Sequence, residues 1–318
     1  MHMREVSKMS DNSLLKSTSI PSGFDSVFIE VQHACSLNLK NPHCLRIYCL
    51  DISNNSFSHV ALHKFLQKNI GRYVFSRAAI ERFRLDGEEE AIGLKAIELL
   101  RNASNLKDKG AGGELGEILL YLFLEQKLNA PKLLSKVELK TSGNQYVFGS
   151  DGVHLLYDKN LAGEPYYQLV LGESKIIGSL KDAIDDAFDS IAKVNAKPDN
   201  ELRLIESNIL NEAFDEATID YVKSLIIPSK RDLSINIDRA FGVFLGYTIG
   251  IDASQYSNAD YRKAVVDKMA NDIQTNAAHI AQKIINAKMS GYSFYFYVIP
   301  FDNASNDRAA IIKKLKGE

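Results

Sequence analysis

Excess charge of one sign, long apolar runs and cysteine are all scarce in this chain, and each scarcity excludes something. Lysine and arginine number 38 against 40 aspartates and glutamates, a formal net charge of −2. A chain so balanced does not attract nucleic acid as a whole, so any such contact must come from local basic surface or from a partner. No apolar run reaches the ~18 residues of a membrane-spanning helix, and no membrane association is expected. The opening residues MHMREVSKMSDNS lack the apolar centre of a secretory signal. Three cysteines, Cys35, Cys44 and Cys49, form an odd, clustered set. No disulfide framework is expected from them, and a reducing cytoplasm is the expected location. His33 and His43 fall in the same cluster, but no C-x-x-C pair accompanies them. Half-buried cysteines are therefore preferred to a zinc site.

Nucleotide and covalent-catalysis signatures are missing too. There is no G-x-x-x-x-G-K-[ST] and no G-x-G-x-x-G. KGAGGE carries Gly110, Gly112 and Gly113 but lacks the Lys-Ser/Thr ending, so ATP hydrolysis is not expected. No G-x-S-x-G and no Cys–His arrangement is present. What remains is an ordinary globular composition, 45% hydrophobic and 25% charged over 318 residues. That length suits one large domain or two smaller ones.

Residues 1–20 are polar and serine-rich and are expected to fray. FDSVFIEV and CLRIYCLDI read as strands. HVALHKFLQKNIGRYVF and SRAAIERFR read as helices. Their Lys64, Lys68, Arg72, Arg77, Arg82 and Arg84 make the region locally basic, either as a solvated face or as a patch toward DNA or a partner. A helix over 88–103 leads to the break DKGAGG. That break divides an N-terminal region, 1–109, from a core, 110–318. GELGEILLYLFLEQKL opens the core, apolar round much of its circumference and so expected to be buried on several sides. Three strand-like segments follow, containing VELKTSG, GSDGVHLL and YYQLVLGESK. LKDAIDDAFDSIAKV is an amphipathic helix with Ala183, Ile184, Ala187 and Ile191 on one face. Residues 200–226 read as further helix, INIDRAFGVFLGYTIGI as a strand and 258–289 as a long helix. YSFYFYVIPF reads as an aromatic strand and DRAAIIKKLKGE as a closing basic helix. This order predicts an α/β (α+β) fold with a mixed central sheet flanked by helices.

The chemistry concentrates between Gly113 and Lys175. Asp151 lies in the Gly-Ser-Asp-Gly turn that opens the second of the three strands. Glu173 and Lys175 end the third, two residues apart and so on one strand face. If the strands are neighbours, Asp151 and Glu173 can reach one hard cation, and oxygen ligands suit Mg²⁺ or Mn²⁺. Such an ion polarises a phosphate and activates water, while Lys175 steadies the developing charge. The pattern points to metal-dependent cleavage of nucleic acid. The plainer account makes Asp151 a turn residue and Glu173–Lys175 a surface ion pair. Glu114 and Glu117 sit at a helix start, where the dipole alone favours them. Glu117, further inside, is the better extra metal ligand. Glu138-Leu139-Lys140 is a second Glu-x-Lys, either part of the site or a pair of exposed strand positions. His154 has the opposite parity to Asp151 and reads as a packed histidine. His59 and His63, four apart, have no partner acid at motif spacing, and neither has His279.

At GELGE, Asp151 and Glu173-Ser174-Lys175 the chain resembles the PD-(D/E)XK nuclease superfamily. Over GELGE, VELKTSG, GSDGVH, LGESK and YSFYFYVIPF it resembles more closely the HamA family, nuclease-like subunits of Hachiman anti-phage systems, and the related AbpA proteins. The likeness covers most of the chain from Gly110 on and fits residues 1–109 loosely. It implies a restriction-endonuclease-like core with an N-terminal α/β extension and a Mg²⁺-dependent deoxyribonuclease without sequence preference. It also implies a HamB-type superfamily-2 helicase as partner, supplying ATP-driven DNA sensing. A non-catalytic subunit that docks on the helicase and senses DNA would share the fold; Asp151, Glu173 and Lys175 together favour the enzyme. A sequence-specific endonuclease acting alone is disfavoured, because no base-reading module is identifiable. Ser150 stands where the superfamily motif often has proline. With two Glu-x-Lys pairs, the catalytic lysine stays open between Lys175 and Lys140.

Overall fold

The apolar runs that read as strands form the middle of one sheet. The structure, a computed structural model, describes residues 15–103, 113–135, 137, 149–159, 165–196, 219–220, 222–223 and 236–318. In chain order come α1 (Phe24–Val27), β1 (Ile29–Val31), β2 (His43–Cys49), the short β3 (Ile52–Ser53) and β4 (Ser56–Phe57), α2 (Val60–Val74) and α3 (Arg77–Leu85). A 3₁₀ turn at Glu89–Ala91 leads into α4 (Ile92–Ala103), followed by α5 (Gly113–Gln126), β5 (Gly152–Lys159) and β6 (Pro165–Ile176). Then come α6 (Leu180–Asn195), β7 (Asn236–Thr248), a 3₁₀ turn at Ala253–Gln255, α7 (Asn258–Asn286), β8 (Ser293–Phe301) and α8 (Ala304–Lys316).

The described strands of the main sheet lie in the order β1-β2-β8-β7-β6-β5. The pairs β2–β8, β8–β7 and β7–β6 are parallel, while β1–β2 and β6–β5 are antiparallel. A strand with helices over both faces reads as a continuous apolar run. That is β8, buried at every residue. The architecture is therefore the expected one, a mixed α/β sheet flanked by helices. β1 and β2, from the N-terminal region, extend the same sheet as β5–β8, and one buried apolar cluster spans Leu15 to Leu315. The boundary set at 109/110, the VELKTSG strand beyond Val137 and most of the helix read over 200–226 lie outside the described residues.

α5 is buried from Leu115 to Glu125 except at half-buried Glu117. It lies between the sheet and α2. Glycines in the strands admit it: a Cβ on Gly172 would stand 2.7 Å from Leu120, and one on Gly242 2.5 Å from Leu124. Phe123 stacks on Tyr297 on this face. α6 covers the opposite face, with Phe188 against Phe294 and Phe296. Its start is set by a capping box in which Ser179 and Asp182 satisfy each other's backbone amides. α7 packs on α6, while α8 returns beside α2, α4 and α5. No described helix is long and apolar enough to cross a membrane.

Two local expectations are corrected. FDSV is a single helical turn, not strand, because Phe24 and Val27 bury together at helical spacing after Gly23 turns the chain at φ 98°. The second concerns the start of the chain. Residues 17–20 do not fray: Glu125 accepts bonds from Ser17 Oγ (2.8 Å), the Thr18 amide (2.7 Å) and the Ser19 amide (2.5 Å). The Ile20 amide donates to Asn69 at 2.7 Å. A buried carboxylate must be satisfied, and this segment supplies the donors.

Candidate active site

β5 runs antiparallel to β6, so the start of one lies beside the end of the other. Gly152 pairs with Gly172, and the Asp151 amide donates to the Gly172 carbonyl at 2.7 Å. The Asp-bearing turn and the Glu-Ser-Lys strand end, separated in sequence, are thereby neighbours. The Asp151 carboxylate accepts from the Ser174 amide at 2.8 Å and from the Ser174 hydroxyl at 2.7 Å. Ser174 carries no motif of its own and was missed in the sequence.

Strand alternation then separates the members of Glu173-Ser174-Lys175. Ser174 and Ile176 face α5, lying 2.8 Å and 3.7 Å from where a Cβ on Gly116 would sit. Glu173 and Lys175, of the other parity, face α6. They form an ion pair whose side chains are only 5% and 12% exposed. The pair exists, but it is not the surface pair that the plainer account expects. Buried ion pairs carry a desolvation cost that surface pairs do not.

On the α5 side, a buried phenol meets a carboxylate. Tyr73, buried on α2, donates its hydroxyl to Glu117 Oε2 at 2.8 Å. Burial pushes the Tyr73 pKa well above the ordinary phenol value, and Glu117, then Asp151 and Glu114, push it further. Asp151 lies near Glu117 by geometry: Ser174 Oγ, which donates to the Asp151 carboxylate, stands 2.8 Å from where a Cβ on Gly116 would sit. Glu114 pairs with Lys316 of α8 at 2.5 Å. Arg308, also of α8, lies over Gly113 and donates to the Ile176 carbonyl at 3.3 Å. Tyr73, Lys316 and Arg308 come from elements remote in sequence, with no spacing signal that could have found them.

The remaining sequence candidates divide plainly. Glu138 and Lys140 lie outside the described residues. His154 is packed as expected: its Nδ1 donates to the Ala130 carbonyl at 2.8 Å, and burial pushes its pKa down to about 4. His279 does have a partner acid in space, Asp185 at 2.8 Å, which joins α7 to α6. The Nε2 atoms of His59 and His63 are buried without a hydrogen-bond partner. Cys35 and Cys44 are half-buried and Cys49 is buried, all as free thiols. The basic stretch is thinner than its sequence. Arg77 turns inward to the Lys132 carbonyl and Arg84 is bound by Glu81.

Among the described residues no three His, Cys, Asp or Glu side chains form a ready-made metal cluster. Mg²⁺ does not require one: it commonly takes one or two carboxylates, keeping waters and a substrate phosphate as its other ligands. Asp151 and Glu117, oxygen donors brought near each other by the contact of Ser174 with Gly116, fit that demand by chemistry.

A family model described as HamA matches residues 24–315, a span that includes Tyr73, Glu117, Asp151 and Glu173. No curated protein matches the chain.

Proposed function

The chain belongs to the HamA family of anti-phage defence proteins, and we propose that it is a metal-dependent deoxyribonuclease, silent until a HamB-type superfamily-2 helicase activates or releases it. The observation that carries this reading is Asp151, held where β5 and β6 meet by Ser174, which itself lies against Gly116 of α5, the residue before Glu117. The order helix, strand, strand, helix, strand from α5 to β7 supports a PD-(D/E)XK core. The balanced charge and the missing ATP motif suit a subunit that depends on a partner for DNA engagement. Its place is the cytoplasm, with its DNA.

Asp151 and Glu117 would hold Mg²⁺ or Mn²⁺. A bound divalent cation supplies charge neutralisation at the phosphate and an acidified water. Ser174 keeps the Asp151 carboxylate oriented by donating two hydrogen bonds to it. A further carboxylate and the lysine come from one of the two Glu-x-Lys pairs. Glu173 and Lys175 bind each other on the α6 face, which favours Glu138 and Lys140 for that role.

The second reading, a non-catalytic subunit that docks on the helicase and senses DNA, draws on the lack of a three-ligand cluster among the described residues. One experiment separates the two. Supercoiled plasmid and linear duplex are incubated with Mg²⁺ and wild type or Asp151→Ala, alone and with helicase and ATP. Metal-dependent degradation by wild type only supports the nuclease. No degradation under any of these conditions supports the docking subunit.

A further inference from the structure

We propose that Tyr73 is a positioning residue of the metal site, reaching in from the N-terminal region to hold the Glu117 carboxylate in place. This rests on the nuclease reading above and adds a residue to it. Tyr73 lies in the last turn of α2 and spans one turn of α5. Its hydroxyl donates to Glu117 at 2.8 Å, and its ring packs on that of Tyr121, four residues further along α5, at 5.8 Å between centroids.

The phenol has a rigid base. The buried Lys132 ammonium donates to the carbonyls of Arg72, Tyr73 and Phe75 at 2.8, 2.8 and 3.0 Å. These bonds tie down the last turn of α2, where carbonyls have no helical partner. Glu117, by contrast, is a flexible side chain and the one half-buried position in the run from Leu115 to Glu125. Left alone it would lose rotamer freedom on binding a cation. A fixed donor on one of its oxygens removes part of that freedom in advance. Outer partners of metal ligands act in this way, and their loss typically weakens metal binding 10- to 100-fold.

The test reads metal binding, not cleavage. Mn²⁺ affinity is measured by electron paramagnetic resonance on wild type, Tyr73→Phe, Glu117→Gln, the double variant and Asp151→Ala, with melting temperatures alongside. Tyr73→Phe removes one oxygen and keeps the ring. We expect it to bind Mn²⁺ about 10-fold more weakly. We expect the double variant to be no weaker than Glu117→Gln alone, as for two residues acting through one carboxylate. Wild-type affinity in Tyr73→Phe, with binding lost in Asp151→Ala, overturns the role of Tyr73 and leaves the metal site standing. Wild-type affinity in Glu117→Gln also overturns it, even if Tyr73→Phe fails to fold, because Tyr73 then has no ligand to position. No Mn²⁺ binding by wild type overturns this proposal and the nuclease reading together.

Discussion

The carboxylate of Asp151 and the residue Ser174, twenty-three positions apart, are joined by two hydrogen bonds, one from the serine amide and one from its hydroxyl. That pair joins the start of β5 to the end of β6 and fixes where the acid points. Asp151→Ala is expected to abolish metal-dependent cleavage and keep the fold. Ser174→Ala leaves the amide donor, so it should retain partial activity and cost about 1 kcal/mol of stability. Plasmid cleavage and urea titration check both. Full activity in Asp151→Ala would remove this residue from the site.

The two lysines are separable by mutation. Lys175 is bound to Glu173 on the α6 face, so Lys175→Ala removes the ion-pair partner of a buried carboxylate and should destabilise the protein by about 3 kcal/mol. Lys140→Ala is expected to remove cleavage. The reverse pattern, an inactive but stable Lys175→Ala beside an active Lys140→Ala, would give the catalytic role to Lys175.

Gly116 sets how closely α5 approaches β6. A Cβ there would meet Ser174 Oγ at 2.8 Å and its Cβ at 3.1 Å. Gly116→Ala should therefore cost about 1–3 kcal/mol by overpacking, and it should lower activity by shifting the serine that holds Asp151. A variant as stable and active as wild type would show that this contact gives way freely.

Burial keeps the His154 imidazole neutral down to about pH 4, against an ordinary value of 6.5. The unfolded chain takes up this proton first as pH falls. The contribution to stability is therefore full above pH 6.5, declines between 6.5 and 4, and amounts to about 3 kcal/mol. Urea titrations from pH 8 to 4 should show this slope, and His154→Gln should flatten it. An unchanged slope in the variant would assign the loss to other groups.

Glu125 ties Ser17, Thr18 and Ser19 to α5, and the Lys132 amide as well, at 2.9 Å. Burial would raise its pKa, but these hydrogen bonds hold it below the usual carboxylate range. Glu125→Ala strands several donors and should destabilise by about 3 kcal/mol. Hydrogen exchange should show the Thr18 and Ser19 amides released. Protected amides in the variant would mean that other contacts hold this segment.

Much of the fold was legible because its signals are local. Serines at 76, 179 and 257 and Asn303 cap the helices that follow them, and the dense apolar runs of β7 and β8 lie at the centre of the sheet. The misreadings were local ambiguities. FDSV satisfies helical and strand spacing alike, and polar residues 17–20 look frayed until a buried carboxylate claims their donors. The partners of the candidate site were illegible for another reason. Tyr73, Lys316 and Arg308 reach α5 and the end of β6 from α2 and α8, and no spacing rule links residues so far apart in the chain.

By itself the sequence determined the types of most described elements, the mixed α/β class, and the presence of Asp151 and Glu173-x-Lys175 at strand ends. Period, capping and composition act within a few residues and are written in the chain. Only the tertiary structure decided which of these side chains meet. Antiparallel pairing brought Asp151 to Ser174. Alternation across the sheet then turned Glu173 and Lys175 toward α6, while the packing of α2 on α5 placed Tyr73 against Glu117. Register and packing depend on many distant contacts at once, so no local pattern encodes them.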